Sequence, residues 1–354
     1  MTCSFQNPTA MLVLLLIAAM GCDAVQKVSE SETESEAVAE PGGSDPPGMP
    51  EVEFRPPDSA APTTLSQDQR LAEILGRQLN ILSDADIQTL ATLTDVNHTV
   101  VELDLRGTQL SADSVARLSQ LPHLKSLNLA GAGWQPDAWQ ALGAMQQLEA
   151  LDLENSSVSD QTGAFLLQLT NLKKLNLSQT QVTDQVFHHL INLHNLEEIS
   201  ISKTQTTGAG FEALGARGAR APLRVVNVMG TAFGQFGPLH LKGSETLEEL
   251  GAGGCGLNDE GIALFRSCDQ LKKLVIGGNN ITDQGLKFLS GMKSLEYLDV
   301  SSMTFVSNFT LERVKNLKSL KDINVSGTSC DVQGVQALKE FLPDCRILIN
   351  GSTL

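Results

Sequence analysis

The chain has 354 residues, 41% of them apolar but only 4% aromatic, and carries a net charge of -16. A sizeable core can be built, mainly from Leu, Val and Ile. The acidic balance tells against nucleic acid, whose binders carry basic patches, and against docking of the folded part on an anionic lipid surface.

The first feature in chain order is the apolar run Ala10 to Met20, AMLVLLLIAAM. It is shorter than the roughly 20 residues that span a bilayer and has the length of a signal-peptide h-region. Ala19-Met20-Gly21-Cys22 follows directly. Small residues ahead of a cysteine at this place resemble the lipobox of bacterial lipoproteins. The resemblance implies a signal over residues 1–21, cleavage before Cys22, and lipid attachment at Cys22. The n-region MTCSFQNPT departs from the pattern in having no Lys or Arg. A plain cleaved signal and a secreted product form the alternative.

Residues 22–64 are a different material. Between Asp23 and Thr64 ten acids stand against Lys27 and Arg55, and Pro, Ser, Glu and Gly dominate without apolar periodicity. Such a composition buries too little surface to offset ordering entropy. A disordered acidic tether is expected, with an end-to-end distance of roughly 35–40 Å.

Residues 65–99 read as a helical N-terminal cap. Leu71, Ile74, Leu75 and Leu79 have helical spacing, with Ser66 as N-cap and Gln69 three residues on. Ser83-Asp84 then opens a second helical piece carrying Ile87, Leu90 and Leu93.

From Val100 to the C-terminus the sequence repeats. Leu124, Leu148, Leu172 and Leu196 lie 24 residues apart and open successive coils, and Leu223, Leu247, Leu271, Leu295 and Leu320 continue the series. Each coil starts L-x-x-L-x-L, alternating like a strand, and ends with apolar residues at helical spacing. Three columns recur. One runs from Leu105 through Leu153 and Ile276 to Val325, and a turn column includes Trp134, Val182, Phe233, Ile281, Phe305 and Cys330. The helix column includes Val115, Trp139, Phe187, Phe211 and Leu286. A unit that cannot bury its own apolar side must stack on copies of itself.

These columns resemble the leucine-rich repeat family, over Ser83 to the end. The pairs Ser159-Asp160, Thr183-Asp184, Asn258-Asp259 and Thr282-Asp283 resemble repeats of bacterial envelope proteins. They are also similar to the cysteine-containing repeats of eukaryotic F-box proteins. The resemblance implies an α/β solenoid over 100–354, parallel strands on a concave face and helices on a convex one. It implies no catalysis. Physically, the Ser, Thr or Asn of each pair reads as an N-cap and the acid as a first-turn charge favouring the helix dipole. The alternating Cys345, Ile347 and Ile349 read as a closing edge strand.

Chemical motifs are scarce. There is no C-x-x-C, G-x-S-x-G, H-E-x-x-H or phosphate loop, so no metal and no cofactor is expected. Cys255, Cys268, Cys330 and Cys345 fall at small buried positions, and export would permit Cys255–Cys268 or Cys330–Cys345 disulfides. His188, His189 and His194 lack an acid or cysteine to complete a ligand set. Gly251, Gly253, Gly254 and Gly256 read as close backbone packing.

The concave face takes its side chains from between the strand leucines. Early coils offer charge, with Glu102, Asp104, Arg106, Asp152, Glu154, Lys174 and Glu198. Later coils offer Val225, Met229, Val275 and Tyr297, flanked by Lys273 and Asp299. An apolar patch with one aromatic anchor and a polar rim is what a binding hot spot looks like. The expected function is a lipid-anchored scaffold in the bacterial envelope, binding a protein or peptide on this face, with no nucleic acid. An envelope spacer without a ligand is the alternative, and an F-box-like adaptor a more distant one.

Overall fold

The computed structural model describes residues 82–92, 100–215 and 221–353. The signal, Cys22, the tether and the cap segment up to residue 81 lie outside the described residues.

One sheet contains all the strands of the described residues, in chain order. They are β1 Glu102–Asp104, β2 Ser126–Asn128, β3 Ala150–Asp152, β4 Lys174–Asn176, β5 Glu198–Ser200 and β6 Val225–Asn227, then β7 Glu249–Gly251, β8 Lys273–Val275, β9 Tyr297–Asp299, β10 Asp322–Asn324, β11 Arg346–Ile349 and β12 Ser352–Thr353. Neighbours up to β11 pair in parallel, with Leu103 beside Leu127, Leu127 beside Leu151, and so on to Ile323 beside Ile347. The 24-residue spacing and the strand register are therefore the same fact seen twice.

The sheet does not end on β11 as the alternation of Cys345, Ile347 and Ile349 suggested. Asn350 and Gly351, at φ 46° and 84°, turn the chain back so that β12 pairs antiparallel with β11. Two successive residues at positive φ are what a tight hairpin needs, and the result shortens the exposed edge. Cys345 stands just ahead of β11, buried, and its N–H donates to Leu342 O as Leu320 N–H does to Leu317 O. It fills the opening leucine position one residue nearer to its strand, two before Ile347 where Leu320 stands three before Ile323.

The opposite side carries short helices: α1 Asp84–Thr92, α2 Ala112–Leu118, α3 Pro136–Ala141, α4 Phe211–Gly215, α5 Gly237–Leu241, α6 Asp259–Ala263, α7 Asn308–Val314 and α8 Val332–Phe341. Coils without a full α-turn use 3-10 segments, such as Thr162–Gln168, Asp184–His189 and Leu286–Gly291. A 3-10 helix rises about 2.0 Å per residue against about 1.5 Å for an α-helix, so a segment of the same number of residues reaches further along the coil. Helix α1 covers the second helical piece expected from Ser83-Asp84, with Ile87 and Leu90 buried.

Between sheet and helices lies the core. The strand column from Leu105 to Val325 is fully buried, each such side chain contributing about 1.5–3 kcal/mol of transfer free energy. Composition pointed to an aliphatic core, yet aromatic rings run through it. Trp134 and Trp139 lie 4.9 Å apart, Trp139 and Phe165 6.3 Å, Phe187 and Phe211 4.9 Å, Phe211 and Phe233 5.8 Å. The turn column has one correction: Phe305 is 64% exposed, while Val306 is fully buried in its place. The coil from Leu295 has one extra residue, and the turn absorbs it, moving the buried position from 305 to 306.

The Ser/Thr-Asp pairs do more than cap their own helices. Thr183 and Asn258 accept N–H bonds as N-caps, as expected. Their acids, however, reach the following coil. Asp160 accepts from the Thr183 N–H at 3.0 Å and the Thr183 hydroxyl at 2.8 Å. Asp184 does the same to Thr207, Asp259 to Thr282, and Asp283 to Ser307. Each carboxylate staples one coil to the next. In the last staple the chemistry is reversed: Asp331 is the cap, and Asn308 donates its amide to it at 2.9 Å while accepting the Asp331 N–H at 3.1 Å.

The staple is missing in the coils with Ala112 and Pro136 at this position, and again where Gly208 and Gly234 stand. There the coils come together instead through close approach of a glycine to the next coil's backbone. A Cβ at Gly208 would fall 2.7 Å from Gly237 Cα and 2.9 Å from the Phe233 ring, and one at Gly234 2.5 Å from the Gly256 carbonyl.

Candidate binding face

Three outward columns line the strand face, defined by the register. The second column, Asp104, Asn128, Asp152, Asn176, Ser200, Asn227, Gly251, Val275, Asp299 and Asn324, is a structural device in most coils. Asn128, Asn176, Asn227 and Asn324 each accept the backbone N–H two residues on, at 3.0, 3.0, 3.3 and 3.1 Å. Asp104, Asp152 and Asp299 do likewise, at 3.2, 2.9 and 2.8 Å. These side chains close the bend after the strand.

At β7 and β8 the series stops, because Gly251 and Val275 offer no such acceptor. The Met229 side chain, 40% exposed, lies over the bare backbone of β7. A Cβ on Gly251 would come 3.6 Å from Met229 Cγ, and one on Gly253 3.3 Å from Met229 Cε and 3.9 Å from Val275 Cγ1. Met229 and Val275 thus form one apolar surface across the two glycines. The close packing expected of the glycine run holds for Gly251 and Gly253. Gly254 and Gly256 have open space where a Cβ would go and sit at φ 62° and 71°, so their reason is conformation.

The structure joins some expected site residues and separates others. Val275 and Asp299 are register partners, and so are Lys273 and Tyr297. The Lys273 ammonium lies 5.9 Å from the Tyr297 ring centre and 3.4 Å from Glu249 Oε2. Val225 is two coils from Lys273, with Glu249 between them in the same column. The patch expected as one area is therefore an apolar saddle of Met229 and Val275, a Lys273–Tyr297 unit beside it, and an outlying Val225.

An edge ladder escaped the sequence reading. The residue after each opening leucine is Lys125, Glu149, Lys173, Glu197, Arg224, Glu248, Lys272, Glu296 and Lys321, strictly alternating in sign. Glu149 bonds Lys125 at 3.1 Å and Lys173 at 2.7 Å; Glu248 bonds both Arg224 and Lys272 at 2.8 Å. Hydrogen bonds from Arg224 and Lys272 pull the Glu248 carboxyl down to about 2. Reading one position beyond the opening leucine, coil by coil, would have found the ladder.

All four cysteines of the described residues are free thiols, so neither considered disulfide is present. Burial pushes each thiol up, Cys345 to about 11, which leaves them poor nucleophiles. His188 and His189 face backbone carbonyls of Gln185 and Asp160, at 3.2 and 2.9 Å. Among the described residues no group of three or more His, Cys, Asp and Glu could hold a metal ion, and no helix is long and apolar enough to cross a membrane.

A sheet stacked in chain order, with one buried leucine column per strand and helical segments opposite, defines an α/β solenoid of the leucine-rich-repeat type. A leucine-rich repeat family model matches residues 270–290. An internalin from Listeria monocytogenes aligns over 79% of this chain and 94% of its own length, at 15% identity and a TM-score of 0.41. No curated protein matches the sequence.

Proposed function

We propose that this protein is a non-catalytic binding scaffold, exported and lipid-anchored at Cys22 in the bacterial envelope. It recognises a protein or peptide on its strand face. The observation that carries the binding reading is the interruption of the Asx column at β7 and β8, where Gly251 and Val275 replace turn-forming acceptors and the exposed Met229 lies over the glycine. A purely structural solenoid has no need of that interruption. The address rests on the h-region and Ala19-Met20-Gly21-Cys22.

The full-length chain is expected to capture a partner from envelope extract, and the Val275→Asp, Tyr297→Ala double variant to lose it with unchanged melting temperature. Equal capture by both would discard the patch and favour a spacer role or another face. For the anchor, Cys22→Ala should abolish incorporation of radiolabelled palmitate. Undiminished labelling would remove Cys22 from the reading.

A further inference from the structure

The turn-forming column shows which of its charges the fold does not need. Asn128, Asn176, Asn227 and Asn324 make the same backbone bond as the aspartates, with no charge. A carboxylate at 104, 152 or 299 is therefore surplus to turn formation. Asp104 is neutralised by Arg106 at 3.0 Å. Asp152 and Asp299 have no ion-pair partner among the described residues. Asp299 accepts from the Ser301 N–H and the Asn324 amide, both neutral donors. Asp152 is half-buried, and that burial, with repulsion from Glu154 and Asp104, pushes its carboxyl up. Glu154, in the next column, is held by the amides of Gln179 and Asn176 and not by a cation. These acids lie on both sides of the Met229–Val275 saddle: Asp152 and Glu154 toward the first coils, Asp299 directly beside Val275.

We infer that the occupant of this face is a basic segment of a protein partner, with an aliphatic or aromatic side chain seated on Met229 and Val275 and Lys or Arg reaching Asp299 and Asp152. This deepens the binding reading above and rests on it. From β3 to β9 there are six strand steps of about 4.8 Å, about 29 Å in all, which an extended peptide of about nine residues spans. Its cations find uncompensated carboxylates. An acidic segment would meet the same carboxylates as repulsion, and specificity by charge commonly works through both.

The test uses the full chain and two fluorescein-labelled nonapeptides with a central Leu-Phe, one with lysines at both ends and one with glutamates there, read by anisotropy. The lysine peptide is expected to bind and the glutamate peptide not to, with affinity for the former falling at least fivefold between 50 and 300 mM salt (about the sensitivity of a few exposed charge contacts). Asp299→Asn and Asp152→Asn should each weaken the lysine peptide about three- to tenfold with no change in melting temperature. Glu260→Gln on α6, away from the face, should change nothing. Equal binding of both peptides, or of parent and Asn variants, would overturn the charge assignment. If Val275→Asp still abolished capture from extract in that case, the patch would survive without it. If the Asn variants lost the lysine peptide while Met229→Ala kept it, the carboxylates would stand and the apolar anchor would fall.

Discussion

Single residues in this fold are constrained by coil position more than by neighbours in sequence. One position per coil requires positive φ. It is glycine at Gly107, Gly131, Gly230, Gly254, Gly278 and Gly327, but Asn155, Gln179, Lys203 and Ser302 elsewhere. A Cβ there costs about 1 kcal/mol through its own backbone. At Gly278 the nearest atom to an added Cβ is 3.8 Å away, so no clash confuses the measurement. Gly278→Ala should lower stability by about 1 kcal/mol and Ser302→Gly should raise it by about 0.5 kcal/mol, both read by urea denaturation. The opposite pattern would mean that side-chain contacts decide this position. The Asn308–Asp331 staple makes a sharper case. Asn308→Asp sets two carboxylates face to face and removes an amide donor, costing about 1–3 kcal/mol at neutral pH. Asn308→Asp combined with Asp331→Ser should recover most of it, because the resulting acid and hydroxyl copy the Asp283–Ser307 staple. A double variant as unstable as the single one would refute the complementarity.

At the scale of the element, the charge ladder and the staples join successive coils in the part of the stack where each is present. The ladder is exposed, so each pair contributes little and weakens with salt. Glu248 is the tightest member. Its folded pKa, about 2, lies below the ordinary 4.5. The contribution is therefore fully present above about pH 4.5 and is lost as pH falls from there through about 2. Glu248→Gln should flatten the pH dependence of stability in that window, by about 1 kcal/mol at most, and leave the slope above pH 5 unchanged. An unaltered acid limb would show that the pairing is not populated in solution. Asp283 behaves in the same sense. Burial works to raise it, but bonds from Ser307 and Thr310 outweigh that and hold it below the usual carboxylate range.

For the molecule as a whole, a solenoid's stability is close to a sum of repeat and nearest-neighbour terms. Coil interfaces without a staple are then weak joints, and one falls at Gly208 and Gly234, crossed by the Phe211–Phe233 pair of the ring row Phe187, Phe211 and Phe233. Phe211→Ala removes the middle ring, at a cost of about 3–5 kcal/mol. It should split a single denaturant transition into two, with amides before β6 and after β7 exchanging independently. A single, merely shifted transition would show that the sheet alone carries the coupling. The same joint separates the acidic early strands from the apolar saddle at β7 and β8, so it bears on how the binding face keeps its shape.

How much was legible in the sequence follows from which interactions are periodic. The 24-residue repeat, the buried columns and the parallel sheet could be read directly, because identical coils must stack in register to hide their leucines. The hydroxyl-acid pairs were visible, but their reach was not: the acid of one coil meets the cap of the next, a contact made only once the pitch of the stack is set. Phe305 misled for a related reason, since one inserted residue shifts which of two neighbouring apolar residues turns inward, and only packing chooses Val306. The candidate patch was half legible. The sequence alone determined that apolar residues interrupt a polar face. Tertiary structure decided that Met229 crosses two glycines to reach Val275, that Val225 stands apart, and that Asp152 and Asp299 lack counter-charges among the described residues. Those depend on distances between coils, which no single repeat contains.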